Sequence, residues 1–600
     1  MRNDSVIARR LRALRALMAE KDLEAYMIPS QDEHQGEFVP ERAKRIQWLS
    51  GFSGSSGTLV VTSERALLWT DGRYHLQAQE ELHKELFTLM RMGLAGVPEP
   101  HEWLLENLKP GQKVGIDPRL FSIDEVRSLR RGLSEGGIEI VSLEGNLVDL
   151  IWEDKPPAPS ELVWPLAPPY CGSSVEEKLA TVRGEMARNR VQGLVVSRLD
   201  EIAWVLNLRG KDVPYNPVFL SYLIILEKEA FLFIDGQRLT NEAKDALEPI
   251  LEIRPYGDFE PHLRKLAETG IRFWVDPQGA NQRILELLEE GPRPFESLSP
   301  IARAKAVKNP TERRGMRECH IRDALAWVKF MKWIKEEVPR GGITEKIAGE
   351  KLEALREGLP YYVAPSFETI VAYGPNGAIV HYRPSHERPT ELRPHGLVLV
   401  DSGAHFLDGT TDATRTIALG HVTDDHREKY TRVLKGHIAL STTPFPKGTS
   451  GRQLDSLARR PLWEVALDYM HGTGHGVGCF LNVHEGPHNI SPKDKGLPLE
   501  PGMFITNEPG YYEEGSLGIR IENVMEVIEL PMKHRTYGHF LGFRPVTMIP
   551  LERSLILVEL LQEEEILWIN SYHQTIREVL SPSLTGEDLA WLQEATMPIG

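Results

Sequence analysis

The chain has 600 residues, 41% hydrophobic and 26% charged, with 70 Lys plus Arg against 86 Asp plus Glu and a formal net charge of -16. That length exceeds one hydrophobic core, so several domains are expected, and the acidic balance argues against a general nucleic-acid binder, which needs clustered basic side chains. No apolar run is long enough to span a bilayer, and the cysteines Cys171, Cys319 and Cys479 are odd in number and outside any CxxC spacing, so neither a membrane protein nor a disulfide framework is expected and a reducing, cytoplasmic setting is the default.

The first stretch is basic and amphipathic, partly like a transit peptide. Glu20, Asp22 and Glu24 interrupt it, and the spacing Ile7, Leu11, Leu14, Met18 predicts a packed helix over 7–20. A strand over 23–28, a Trp48 segment running to Gly54, and a hairpin of 57–61 with 66–70 follow, closed by Asp71-Gly72. The same order returns: helix 175–191, strand 193–196, a Trp204 segment, a hairpin of 222–226 with 230–234, and Asp235-Gly236. The repeat predicts a duplicated α/β domain, with the Pro-rich 156–169 as its linker. We place these two domains at 1–150 and 151–301, and a third at 302–600. Asn309-Pro310-Thr311-Glu312 opens a long helix through 337 whose Met316, His320, Ala324, Val328 and Met331 share a face; a second helix covers 344–357. The last stretch, 557–597, reads as helical and carries Trp568, Tyr572 and Trp591, as a docked tail or an oligomer contact.

The third domain holds the chemistry. Apolar strands end in acid at Asp401 and just before Glu508. Thr410 to Thr416 reads as a Thr-rich strand that brings Asp412 beside Asp401, and alternation over 518–523 puts Arg520 and Glu522 on one face. Each acid alone reads more readily as a turn former or a solvated group; several acids on apolar strands together need cations. Between them lies 471–485, which places His471, His475 and His484 within fifteen residues, with glycines at 472, 474, 476 and 478. The glycines make a poor helix and there is no HExxH, so the pattern is not that of a zinc protease helix. Alternating glycines instead suit a backbone approached closely by another group, such as a peptide substrate. One imidazole with four carboxylates suits Mn²⁺ or Co²⁺, and Zn²⁺ in a two-metal site.

Asp401, Asp412, His475, Glu508 and Glu522, together with Gly51-Phe52-Ser53-Gly54, Trp69 to Tyr74, Gly374-Pro375-Asn376-Gly377-Ala378 and Gly510-Tyr511-Tyr512, make the whole chain resemble the three-domain, cytosolic-type Xaa-Pro aminopeptidases of the pita-bread metallopeptidase family. The resemblance implies two creatinase-like α/β domains before a pita-bread catalytic domain, and a homodimer formed through that domain. It implies two divalent ions, Mn²⁺ foremost. Asp401, Asp412 and Glu522 would hold one ion, and Asp412, His475, Glu508 and Glu522 the other. His381, His471 and His484 would line the substrate site, and Arg520 would orient and neutralise the carboxylates. A hydroxide between the metals would attack the carbonyl before proline in peptides with proline second, with Glu508 moving the proton and His484 donating to the oxyanion. Two alternatives stand beside this: a prolidase acting on Xaa-Pro dipeptides, and a pita-bread binding module without catalysis.

Overall fold

The computed structural model describes residues 2–383, 389–531, 536 and 538–600. Two compact units form: Met1–Leu166 with Ser173–Arg303, and Ala167–Gly172 with Ala304–Gly600. No helix among the described residues is long and apolar enough to cross a membrane.

The first unit contains two six-stranded sheets. Edge to edge, the first runs Thr88–Arg91, Ala66–Thr70, Thr58–Thr62, Ala25–Pro29, Lys113–Ile116, Glu139–Ser142. The second runs Glu252–Arg254, Ala230–Phe233, Tyr222–Leu226, Gly193–Val196, Phe273–Val275, Phe295–Glu296. In both, the hairpin pairs antiparallel to the first strand, and the three remaining pairings are parallel. This identity of order and sense is the duplication that the sequence repeat predicted. The halves are tied by Arg119 to Glu260 at 2.7 Å and by a bridge of Ser122 to Asn281. The Trp48 and Trp204 segments are short helices, Arg45–Ser50 and Leu199–Val205. Their turn glycines masked this from the sequence: Gly51 closes the first helix in the left-handed region at φ 85°. The first helix begins earlier than the apolar spacing indicated, at Arg2, and ends at Glu20.

In the second unit, Asn309 caps the helix Pro310–Glu337. Its side chain accepts from Thr311 and Glu312 backbone N–H groups while Glu312 reaches back, satisfying donors that the first turn leaves open. Met316, Ala324, Val328 and Met331 are buried along it. Two sheets supply the frame of the site. One is Ile370–Tyr373, Leu397–Asp401, Thr414–Ala418; the other contains Asn523–Leu530, Phe504–Asn507, Gly474–Gly476 and Glu485–Ile490 in adjacent order. The hairpin of Gly510–Glu513 with Leu517–Arg520 pairs with neither sheet but packs on the first, where Arg520 N–H donates to Thr416 Oγ1 at 3.0 Å. The tail forms helices Glu563–Leu580 and Gly586–Ala595 and is docked: Ile569, Ile576, Leu580 and Leu592 belong to the main core of this unit.

Candidate active site

The Thr-rich stretch is not one strand. Gly409–Thr410 pairs with Ala404–Phe406 in one sheet, and Thr414–Ala418 pairs with Leu397–Asp401 in another. Asp412 sits in the crossover between them, so the chain leaves one sheet where its carboxylate is needed. Asp401 ends its strand opposite Thr414. The crossover is secured by a buried ion pair, Arg356 to Asp323 at 2.7 Å. Asp323 also accepts from Thr411 Oγ1 at 2.8 Å, and Arg356 donates to the Ser402 and Gly403 carbonyls. One pair therefore holds the residues adjoining both aspartates.

His475 lies mid-strand in Gly474–Gly476. The flanking glycines have a plain steric cause, and it is not the one the sequence suggested. A Cβ on Gly474 would stand 2.0 Å from the Thr506 carbonyl oxygen, and one on Gly476 would stand 2.2 Å from that of Glu485. It is the neighbouring strands, not a substrate backbone, that approach these glycines. His475 Nδ1 donates to the Gly476 carbonyl at 2.9 Å, so Nε2 is the ring nitrogen turned toward the carboxylates. That Nε2 faces Asp412 Oδ2 at 3.4 Å and Glu508 Oε1 at 3.6 Å.

Asp412, His475 and Glu522 offer ligand atoms within 4.8 Å of one another. Glu508 joins through His475, and Asp401 joins through Arg520, whose Nη2 donates to Asp401 Oδ2 at 2.6 Å. Glu522 accepts from Thr414 Oγ1 at 2.7 Å. The electrostatics are those of a crowded, largely buried acid cluster. Burial, then repulsion from Asp412, Glu508 and Asp401, pushes Glu522 well above the usual carboxylate range. Burial also raises Glu508 and Asp401, against the pull of His475 and Arg520. His475 is lowered by burial but lifted further by its Asp412 hydrogen bond and by Glu508, to about 9. Asp401 Oδ1 is buried with no hydrogen-bond partner in the protein. A buried carboxylate oxygen without a donor, in a set of four acids and one imidazole, fits hard or borderline divalent cations.

The other histidines are placed as follows. The His484 ring lies 4.3 Å from that of His475, edge to face. The segment carrying His381 reaches the site through the Val380 carbonyl, 3.5 Å from Arg520 Nη2. His471 Nδ1 is 3.9 Å from Glu508 Oε2, yet both its ring nitrogens have protein partners: the Gly472 carbonyl at 2.7 Å and Tyr512 OH at 2.8 Å. Arg520 Nη1 also donates to Tyr512 OH, at 2.7 Å. A guanidinium only donates, so Tyr512 OH accepts from Arg520, and the same hydroxyl is hydrogen-bonded to His471 Nε2. Tyr512, with its pKa raised to about 12 chiefly by burial, and Thr414 are site residues that periodicity did not single out. Tyr512 stood only inside the Gly510-Tyr511-Tyr512 motif, and the register of the Gly510–Glu513 and Leu517–Arg520 hairpin puts it on the face of Arg520.

Residues 314–529 match metallopeptidase family M24, 539–599 the C-terminal region of that peptidase, and 10–151 and 154–312 each match the creatinase/prolidase N-terminal domain. Aminopeptidase P2 of Arabidopsis thaliana is 42% identical, covering 99% of this chain and 89% of its own. Xaa-Pro aminopeptidase 1 of Dictyostelium discoideum is 42% identical over 99% and 97%. The crystal structure of X-prolyl aminopeptidase from Caenorhabditis elegans, described as a cytosolic enzyme with a di-nuclear active site, superposes with a TM-score of 0.95 at 36% identity, covering 99% of this chain and all (100%) of that one. With its two creatinase-type domains, its M24 domain and relatives matched end to end, this chain belongs to the Xaa-Pro aminopeptidase P family of M24 metallopeptidases.

Proposed function

We propose that this chain releases the N-terminal residue from peptides with proline in second position, using two divalent cations. The observation that carries the reading is the buried cluster of four carboxylates around one imidazole, with an undonated Asp401 oxygen at its edge. The relatives' names give the reaction. Asp401, Asp412 and Glu522 are assigned to one ion, and Asp412, His475, Glu508 and Glu522 to the other. Mn²⁺ is the proposed native ion, with Co²⁺ and Zn²⁺ compatible with the same donors. When bound, such ions supply Lewis acidity, which polarises the scissile carbonyl and makes a water nucleophilic near neutral pH.

The protein groups divide the remaining work. Glu508 takes the proton of the attacking water and returns it to the departing proline nitrogen; Thr506 Oγ1, 3.2 Å from Glu508 Oε1, orients it. His484 donates to the oxygen on which negative charge develops, and His381 positions the prolyl part. His471, with both ring nitrogens bonded to protein atoms, orients Tyr512 against Arg520. An Xaa-Pro bond is a tertiary amide without N–H, so a site that does not depend on that donor is required.

We also propose domain limits at 1–150, 151–301 and 302–600, a cytoplasmic location as described for the C. elegans enzyme, and a homodimer through the catalytic unit. The last is supported by Trp463, Val465 and Met470, which are 49%, 38% and 58% exposed and close in sequence on that unit. The test is a peptide beginning Arg-Pro-Pro, incubated with the Mn²⁺-loaded full chain. Release of arginine is expected. Cleavage of Xaa-Pro dipeptides alone would make the protein a prolidase, and failure to bind metal would make it a binding module.

A further inference from the structure

Arg415 is fully buried, and among the described residues it makes no ion pair. A buried guanidinium without a carboxylate is costly unless its donors are all used. Here they are. Nε donates to the Pro550 carbonyl at 3.0 Å. Nη1 donates to those of Thr414 at 2.8 Å and Glu522 at 2.6 Å. Nη2 reaches Asn523 Oδ1 at 2.7 Å, the Ile549 carbonyl at 2.8 Å and Tyr572 OH at 3.1 Å. Four pieces of chain meet at this one cation: the strand after Asp412, the Glu522–Asn523 step, the Ile549–Pro550 step, and the C-terminal helix through Tyr572.

Glu522 is held by the same strand at three points. Its N–H donates to the Thr414 carbonyl at 3.1 Å, its Oε2 accepts from Thr414 Oγ1, and its carbonyl accepts from Arg415. Tyr572 is held in turn. Its hydroxyl lies 2.9 Å from the Thr547 carbonyl and 3.0 Å from that of Ile549, and its ring stacks on Trp568 at 5.2 Å. The plane of the guanidinium is thus fixed from the tail side and passes that constraint to the Glu522 backbone.

We infer that Arg415 and Tyr572 are positioning residues for the carboxylate of Glu522, so that the C-terminal helix takes part in setting the affinity of the metal site. The inference rests on the assignment of Glu522 as a ligand. Outer groups that orient ligands alter metal affinity about 10–100-fold when removed.

The experiment compares Tyr572→Phe, which keeps the stacked ring and deletes the hydroxyl, with Asn570→Ala. Asn570 lies on the same helix and ties it to Ile599 at 3.0 Å without touching Arg415. Mn²⁺ binding to the chelator-treated full chain is measured by calorimetry, beside the thermal midpoint. Tyr572→Phe is expected to weaken Mn²⁺ binding about tenfold, while Asn570→Ala lowers the midpoint and leaves Mn²⁺ affinity unchanged. Wild-type affinity in Tyr572→Phe, or equal weakening in both variants, would overturn the inference. Arg415→Lys, which cannot span the same acceptors, should weaken binding further; if it does not fold, Tyr572→Phe decides alone. Glu522→Gln separates the two levels. If it binds Mn²⁺ normally the ligand assignment fails, whereas if it loses Mn²⁺ while Tyr572→Phe does not, only the present inference fails.

Discussion

At the scale of single residues, the site is governed by which atoms can only donate. Arg520 has no acceptor, so Tyr512 OH accepts from it, and the same hydroxyl joins Arg520 to His471, whose other ring nitrogen meets the Gly472 carbonyl. Tyr512→Phe breaks that run at its centre, leaving His471 Nε2 and Arg520 Nη1 without the hydroxyl between them; kcat should fall about 10–100-fold, with Mn²⁺ stoichiometry retained. An equal loss of bound Mn²⁺ would show instead that Tyr512 supports the ligands. Buried neutral histidines set the response to acid. Burial, then the positive charge of nearby arginines, lowers His437 and His573 to about 3. Their folded pKa values lie below the unfolded value, so the folded state binds fewer protons. The stability they confer is present above about pH 6.5 and is lost as pH falls towards 3, by up to about 1.4 kcal/mol per pH unit for each. His573→Gln, which keeps an acceptor for the Leu551 N–H, should flatten the acid limb of the stability curve. An unchanged slope in chemical denaturation at several pH values would contradict this. Asp401 and Glu508 stood out because an acid closing an apolar strand breaks a pattern, whereas the full set of five proposed ligands came from the family resemblance. Tyr512 and Thr414 did not stand out, because a tyrosine and a threonine in a strand obey the pattern, and only the folded register shows what they touch.

Elements explain where alternation misled. Thr410 to Thr416 alternates like a strand, but the chain changes sheets at Asp412, held there by Asp323 and Arg356. Such a crossover is set by partners far away in sequence, so no local spacing encodes it. The glycines of Gly474–Gly476 were legible as places of close approach, but the approaching group was not. Since a Cβ at either position would overlap a neighbouring strand's carbonyl, Gly476→Ala should cost at least about 1–3 kcal/mol through overpacking. Thermal denaturation measures this, and wild-type stability would refute the packing account. The adjacent strand has its own anchor: Glu485 is buried between Lys305, at 2.7 Å, and Lys308. Glu485→Gln leaves two buried ammonium groups facing an amide, and a loss of about 3–5 kcal/mol is expected from breaking a buried pair, read as a shift in the denaturation midpoint.

For the molecule as a whole, the duplication was readable because each half repeats helix, strand and hairpin at similar intervals, and both sheets take the same order. The exposed apolar positions of the catalytic unit carry the assembly prediction. Met470→Glu with Trp463→Arg should convert a dimer into a monomer in light scattering; unchanged mass would place the contact elsewhere. Less legible was the linker. It reads as a plain Pro-rich spacer over 156–169, yet its end and the three residues after it, Ala167–Gly172, fold with the second unit. There Asn309 Nδ2 donates to the Cys171 carbonyl at 2.9 Å across 138 residues of sequence. A Cβ on Gly172, at φ 70°, would strike the Asn309 side chain. This has a consequence for the order of synthesis. On the ribosome the hexapeptide emerges well before the helix that receives it, and it must wait while the strands and helices of 173–303 are made. A nascent chain or fragment ending at residue 303 should therefore present 167–172 as a protease-sensitive segment with a reactive Cys171 thiol, and both signals should vanish once the helix Pro310–Glu337 is complete.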